Sequence, residues 1–358
     1  MKAGCLGENM KIGIITFTDG TNYGQRLQNY ALQELLKEYG NDVYTIKQEH
    51  KYSFRHKMKV SIKAILNIKK TLQEKKREES FARFNNQYIN FYDEVLPEEG
   101  SETIADSFDL FVAGSDQIWN PNSPFVGSNM FMQFAPKDKR ATYAASFSVD
   151  SINAEKEGIF KKWISEISNV SVRELRAVEL VEELTGRRPV LSLDPTLLLN
   201  HEKWETMANN AESTIVLPER YMISLFLGNA YKEEEELISK QTGIPLVRFN
   251  DYEIAGPDEF LRIIRNASLV LTDSYHVTIF SLLFKRPFVV FQRQSKGASM
   301  NSRFETLNYY FGIESKLYDN VKIQGDFLEF IDEERFENSL SSLRKDSSEY
   351  LNGILKRT

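Results

Sequence analysis

Four polar residues interrupt an apolar run in LTDSYHVTIFSLLF (271–284), and the last of them, His276, is one of only four histidines in the chain. Asp273 and Ser274 are residue types that cap helices, because a side-chain oxygen can accept from the first backbone N–H groups. A strand ending at such a helix start offers N–H donors and the positive end of a helix dipole, which suits a phosphate or carboxylate. A histidine in that turn has its cationic form disfavoured until a bound anion offsets the dipole, and so can carry a proton. The same residues also describe a simple helix cap with His276 facing solvent, and local sequence alone slightly favours that account.

Other candidates share the place at a strand end. GSDQIWNPN (114–122) gathers Ser115, Asp116, Gln117, Trp119 and Asn120 in one loop. Hydrogen-bonding groups beside an indole suit a carbohydrate, which has hydroxyls and an apolar face; an ordinary polar turn with Trp119 in the core is the alternative. Arg173, in SVRE (171–174), directly follows a short strand, where a guanidinium can meet an anion bidentately or lie solvated beside Glu174. DGTNYGQ (19–25) lacks the G-x-G-x-x-G spacing of a dinucleotide site, and no P-loop or G-x-S-x-G elbow occurs. Arg303, in MNSRFETL (300–307), stands near an expected helix start, with a surface arginine as the plain alternative.

These residues need a scaffold that presents strand ends. KIGIITF (11–17) is suited to a buried parallel strand; a loop, a helix over 25–40 and the strand DVYTIKQ follow. FDLFVAG (108–114), ATYAASF (141–147), VSV (170–172) and PVLSLDP (189–195) read as strands, with helices near 153–168 and 174–185. From YMISLFLG to PFVVFQ, four strands alternate with three helices. Such alternation predicts parallel, doubly wound sheets. The expectation is α/β, with two Rossmann-like doubly wound domains facing across a cleft. The first spans 10–195, with a basic helical excursion over 51–92. The second spans 196–358, its last helix able to pack back on the first.

The 358 residues suffice for two cores, and 41% hydrophobic with 27% charged residues is an ordinary soluble balance. A net charge of −6 argues against an electrostatic nucleic-acid binder. The single cysteine, Cys5, excludes an internal disulfide framework and a multi-cysteine zinc site. His50 and His56 have no cysteine pair beside them, and H-E-x-x-H is absent, so no metal is expected. MKAGCLGEN lacks the apolar core of a signal peptide, residues 1–9 are expected outside the fold, and the cytoplasm is the expected compartment. Residues 51–80 hold ten Lys or Arg against three acids. That is a basic amphipathic surface for an anionic membrane face, or a solvated helix.

Together, ITFTDGTNYGQRLQNYALQ (15–33), FVAGSDQIWNP (111–121), YAASF (143–147), SVRE, SLDPTLLL (192–199), ASLVLTDSYHVTIFSLLFKRPFVV (267–290) and NSRFETL (301–307) resemble the polysaccharide pyruvyl transferase family. The resemblance implies a glycosyltransferase B-like fold. It also implies transfer of a pyruvyl group from phosphoenolpyruvate to a sugar of a cell-surface polysaccharide or its lipid-linked precursor, with release of phosphate and no cofactor. It makes His276 and Asp116 the expected catalytic residues. Arg173, Ser274, Tyr275, His276 and Arg303 are the expected donor contacts, and Asn22, Tyr23, Gln117, Trp119 and Asn120 the expected acceptor contacts. Peripheral contact with the cytoplasmic membrane face goes with a lipid-linked acceptor. Ser274 and Val277 stand where many members carry arginine and glycine, so Arg303 or Arg265 is expected to supply the missing cation. A nucleotide-sugar glycosyltransferase, with Glu259 holding a ribose, is the alternative of the same fold, and a non-catalytic polysaccharide-binding homologue is a third.

Overall fold

The computed structural model describes residues 9–49, 68–213, 215–252, 254–293 and 302–356. Expectations for residues 1–8, for His50 and His56, and for 51–67 of the basic segment fall outside the described residues. The chain divides into two units: Met1–Leu72, Asn85–Leu199 and Leu343–Thr358 form one, and Gln73–Phe84 with Asn200–Ser342 the other.

In the first unit the isoleucine run makes strand β1 (Lys11–Ile15), whose last four residues are buried. Gly13 keeps the strand flush with its layer: a Cβ there would come within 2.7 Å of Ile46 Cδ1 and 2.9 Å of Phe111 Cδ1. Helix α1 (Tyr23–Lys37) follows, started by Asn22, whose side-chain oxygen accepts from Gln25 N at 3.2 Å. Leu27, Ala31 and Leu35 recur at four-residue spacing and are buried with Leu32 and Leu36. Each such leucine contributes roughly 1.5–3 kcal/mol by leaving water. Strands β2 (Asp42–Thr45), β3 (Leu110–Ala113) and β4 (Arg140–Thr142) complete a parallel sheet of order β2-β1-β3-β4. Isolated bridges Ala141–Asn169 and Ala145–Val172 lead on to the parallel pair β5 (Ser171–Val172) and β6 (Val190–Leu191). The strand expected over 141–147 stops at Thr142 because Ala144 (φ 51°) and Ser148 (φ 54°) are left-handed, a conformation no β-ladder accepts.

The basic helix α2 (Ile68–Tyr88) and the long last helix (Glu333–Leu355) each run through both stretches of the division. Ser80 Oγ donates to Ile254 O at 2.8 Å and Arg83 lies 3.8 Å from Asp258, which ties Gln73–Phe84 to the second unit. At the other end, Arg344 donates to Leu197 O at 2.8 Å, Ser347 Oγ accepts from Leu193 N at 3.0 Å, and Tyr350 donates to Thr142 O at 2.8 Å. Those bonds hold the chain end in the first unit.

The second unit repeats the plan. Strands β7 (Met222–Leu225), β8 (Leu246–Arg248), β9 (Leu269–Thr272) and β10 (Phe288–Val290) form a parallel sheet of order β10-β9-β7-β8. Two helices that precede and follow β9, Pro257–Asn266 and Tyr275–Leu283, pack with Phe260 against Phe280 at 6.4 Å, and Trp204 meets Phe280 at 5.1 Å, edge to face. Both sheets reverse direction of winding beside their first strand: between β1 and β3 in one, between β7 and β9 in the other. In open α/β sheets, the carboxyl ends of strands flanking such a point are where ligands bind. Among the described residues no helix is long and apolar enough to cross a membrane.

Candidate functional site

At the switch point of the second unit, β9 gives way to the helix Tyr275–Leu283 through Asp273 and Ser274. Neither side chain caps that helix. Ser274, at the N-cap, makes no side-chain capping bond. The Asp273 carboxylate, 1% exposed, instead accepts from Leu227 N at 2.7 Å and Gly228 N at 2.9 Å, fixing the loop that follows β7. Arg293, just past β10, lies 3.4 Å from the same carboxylate through Nε and donates to the Asp273 carbonyl at 3.1 Å. The turn is therefore braced from both neighbouring strands.

His276 is the only residue of its helix that is not fully buried. Its ring lies edge-on to Tyr275 at 5.2 Å. The Arg303 guanidinium, from a residue 4% exposed, stands 5.4 Å from the centroid of the Tyr275 ring. Arg303 belongs to the first turn of the helix Ser302–Phe311, where the helix dipole disfavours a cation. A buried cation in that position gains from an anion nearby. Ser274, Tyr275, His276 and Arg303 thus gather at one sheet edge, joined by Arg293, which sequence reasoning missed. The available signal was an arginine two residues past a strand, at the edge where ligands bind. Arg265 does not take the place of the absent arginine. It sits on the last turn of the helix Pro257–Asn266, before β9 and hence at the opposite sheet edge, ion-paired with Glu205. Glu259 is 5% exposed and accepts from Ser213 Oγ, so its carboxylate is already engaged.

The first unit has its own pocket at the β1/β3 switch point. It measures about 220 Å³ and is lined by Phe17, Asp19, Asn22, Gln25, Asp116, Gln117, Ser123 and Phe125. Asp116 Oδ1 accepts from Gln117 N at 2.7 Å, and Asn120 Nδ2 donates to Gln117 Oε1 at 3.3 Å. Asn120 and Tyr23 flank these residues in sequence but are not among the lining side chains. Below the loop lies Arg26, 3% exposed, which donates to the carbonyls of Thr18 and Gly20. Burial lowers its pKa to about 10, against the opposing pull of Asp116 and Asp19.

Two expected contacts are placed elsewhere. Trp119 is wholly buried, stacked on Phe131 at 5.2 Å, with its indole N–H donated to Met130 O at 3.3 Å. Its ring serves the core and is withdrawn from any acceptor. Arg173, 2% exposed, pairs with Asp194 at 2.7 Å and Glu174 at 3.3 Å. Asp194 also accepts from Ser115 Oγ at 3.3 Å and from Thr196 N at 2.9 Å. This buried network joins the ends of β3, β5 and β6, and its charge is spent on holding them. Ser115 immediately precedes Asp116, so the network that holds Arg173 reaches the loop that carries Asp116.

A UDP-GlcNAc 2-epimerase from Methanocaldococcus jannaschii superposes with a TM-score of 0.50 at 13% identity, over 98% of this chain and 100% of that one. Another from Rickettsia bellii gives a TM-score of 0.48 at 10% identity, over 97% and 96%. At this identity the first likeness shows the fold alone, a glycosyltransferase B-like pair of Rossmann-like α/β units. No curated protein matches the sequence. The family model for polysaccharide pyruvyl transferase, however, matches residues 22–295, a span that runs from the cap of α1 through the Asp116 loop and the His276 turn to Arg293. With that match over most of its length, the chain belongs to the polysaccharide pyruvyl transferase family and is a transferase.

Proposed function

We propose that the protein transfers the pyruvyl group of phosphoenolpyruvate to two hydroxyls of one sugar, forming a cyclic ketal and inorganic phosphate. The carrying observation is the His276 turn: a helix start capped by neither Asp273 nor Ser274, with a buried arginine over Tyr275. Phosphoenolpyruvate brings about three negative charges, and helix N-termini and arginines are the protein groups that meet them. Arg303 and the first turn at Ser274–His276 hold the donor phosphate and carboxylate, and Arg293 stiffens the turn through Asp273.

The chemistry then needs a proton on the donor's methylene carbon, which turns the enol carbon into an oxocarbenium-like centre. His276, partly exposed at the site, supplies it. One sugar hydroxyl attacks that carbon, the C–O bond to phosphate breaks, and the second hydroxyl closes the ring. Of the two hydroxyl protons, one replaces that taken from His276 and the other leaves with phosphate. Asp116 is the base for the acceptor hydroxyl, with Asn22 and Gln117 against the sugar. The acceptor is carried on a cell-surface polysaccharide or its lipid-linked precursor. The lysine-rich residues 51–80 suit peripheral contact with an anionic membrane face, for which salt-sensitive co-sedimentation with anionic vesicles is the expected outcome.

Calorimetry with phosphoenolpyruvate against uridine and guanosine diphosphates tests the donor. Binding of phosphoenolpyruvate alone is expected; binding of a nucleotide without phosphoenolpyruvate would overturn the proposal.

A further inference from the structure

The second unit carries a basic pocket that the proposed reaction does not use. It measures about 410 Å³ and three guanidinium groups line it. Arg262 and Arg265 come from the helix Pro257–Asn266 that leads into β9, and Arg286 from the turn before β10. Tyr221, the residue before β7, shares the lining. These positions lie toward the amino ends of β7, β9 and β10, the sheet edge opposite the carboxyl ends that carry the His276 turn.

The charges there are unevenly matched. Arg265 is ion-paired with Glu205. The other two arginines have neutral acceptors. Arg262 donates to Ser213 Oγ and, at 3.3 Å, to Ile215 O, while its Nε is buried without an acceptor. Arg286 donates through Nε to Phe284 O at 3.1 Å, and among the described residues no carboxylate pairs with it. Glu219, an exposed residue, is the one acid in the lining, and Glu259 is linked to Arg262 only through Ser213. Burial pushes the Tyr221 hydroxyl up to about 12 against the opposite pull of Arg262 and Arg286, so both guanidiniums act on one point. The hydroxyl itself is satisfied, donating to Ile263 O at 2.6 Å.

Guanidiniums gathered in one concavity repel each other, and an anion seated among them removes that cost. Each guanidinium presents its N–H groups in a planar fork that matches phosphate oxygens bidentately. One carboxylate answers one fork. Two forks on separate elements call for an anion with more charge and with oxygens in several directions, which describes a phosphate or diphosphate. Leu217 and Pro218 add an apolar wall for the carbon atoms attached to it, and the volume lies within the roughly 300–1,000 Å³ of small-molecule sites. The plain alternative is that Arg265 and Arg286 only neutralise the carboxyl ends of two helices. That role leaves Arg262 and the concavity itself without an explanation.

We infer that this pocket is a second anion site, which takes the phosphate or diphosphate group of a soluble metabolite on Arg262 and Arg286, at the sheet edge opposite the reacting centre. The inference does not rest on the reading of the donor site.

Calorimetry with inorganic pyrophosphate, on the full chain in buffer free of phosphate and sulfate, tests it. Wild type should bind pyrophosphate at millimolar concentration or below. Arg286→Gln should weaken that binding about tenfold, the loss expected for charge-assisted hydrogen bonds. Arg286→Lys keeps the charge without the fork and should weaken it less. Glu219→Gln should tighten it about threefold, a gain that a damaged fold does not give. Phosphoenolpyruvate affinity should be unchanged in all three variants, and Arg303→Gln should leave this pyrophosphate site intact. Two pyrophosphates on wild type and one on Arg286→Gln would also support the inference, the remaining one lying at the donor turn. No pyrophosphate binding by wild type, or binding that Arg303→Gln removes and Arg286→Gln leaves unchanged, would overturn it. If pyrophosphate binds as expected while phosphoenolpyruvate does not bind at all, the donor assignment falls and this site stands.

Discussion

Asp273 and Arg293 meet at 3.4 Å across the carboxyl ends of adjacent strands, and the same carboxylate takes the backbone N–H of Leu227 and Gly228. One buried acid thus sets the position of three chain segments around the His276 turn. Its job is architectural, and for that reason it does not cap the helix that it precedes.

Asp273→Asn should show this. The amide keeps one acceptor and turns the other into a donor facing N–H or guanidinium groups, at a cost of about 2–4 kcal/mol. Urea unfolding should report that loss. Calorimetry on the folded variant should show weaker phosphoenolpyruvate binding, because the turn is no longer braced.

His276 is partly exposed on an otherwise buried helix, and glutamine keeps a polar side chain of similar reach there. His276→Gln should keep the wild-type melting temperature within a degree or two. Acceptor-dependent phosphate release should fall about 10²–10⁴-fold, the range for loss of a positioned acid. Release near the wild-type rate would return the histidine to a structural role.

For Arg173, stability is the readout. Arg173→Met strands the Asp194 and Glu174 carboxylates in the interior, and should cost about 3–5 kcal/mol. Adding Asp194→Asn and Glu174→Gln removes the uncompensated charges and should recover part of it. Where the variants remain folded, phosphoenolpyruvate affinity should match wild type, which separates a structural arginine from a donor ligand.

Periodicity and punctuation made the two α/β units legible, because buried parallel strands are short apolar runs and helices carry their own 3.6-residue stripe. The His276 turn was legible too, since strand, polar residues and apolar helix follow one another in sequence. What was not legible depends on where a side chain points after a loop turns. The sequence could not tell Trp119 from Phe125: both are aromatic residues in one polar segment, yet one is wholly buried and the other 39% exposed. Arg173 and Arg293 pose the same difficulty in mirror image. Both follow strands, but the partners that decide their roles, Asp194 and Asp273, are 21 and 20 residues away. The shortened β4 was hidden as well, because nothing in YAASFS marks Ala144 and Ser148 as left-handed.

Trp119 then gives the last prediction, and it is one of packing. Its indole is sandwiched in the core, stacked on Phe131 and edge-on to Phe147 at 5.4 Å, with its N–H satisfied by Met130 O. Trp119→Ala removes one of the largest fully buried side chains and should destabilise the protein by about 3–5 kcal/mol. Trp119→Phe retains the stacking but leaves Met130 O without its donor and part of the volume empty, so a smaller loss of about 1–2 kcal/mol is expected. Urea unfolding measures both. The contrast with Phe125 is the sharper check. Phe125→Ala should change stability by less than about 1 kcal/mol, since the ring is partly in water already. If Trp119→Ala were instead as stable as wild type but unable to release phosphate, the indole would be a ligand contact and not a core side chain.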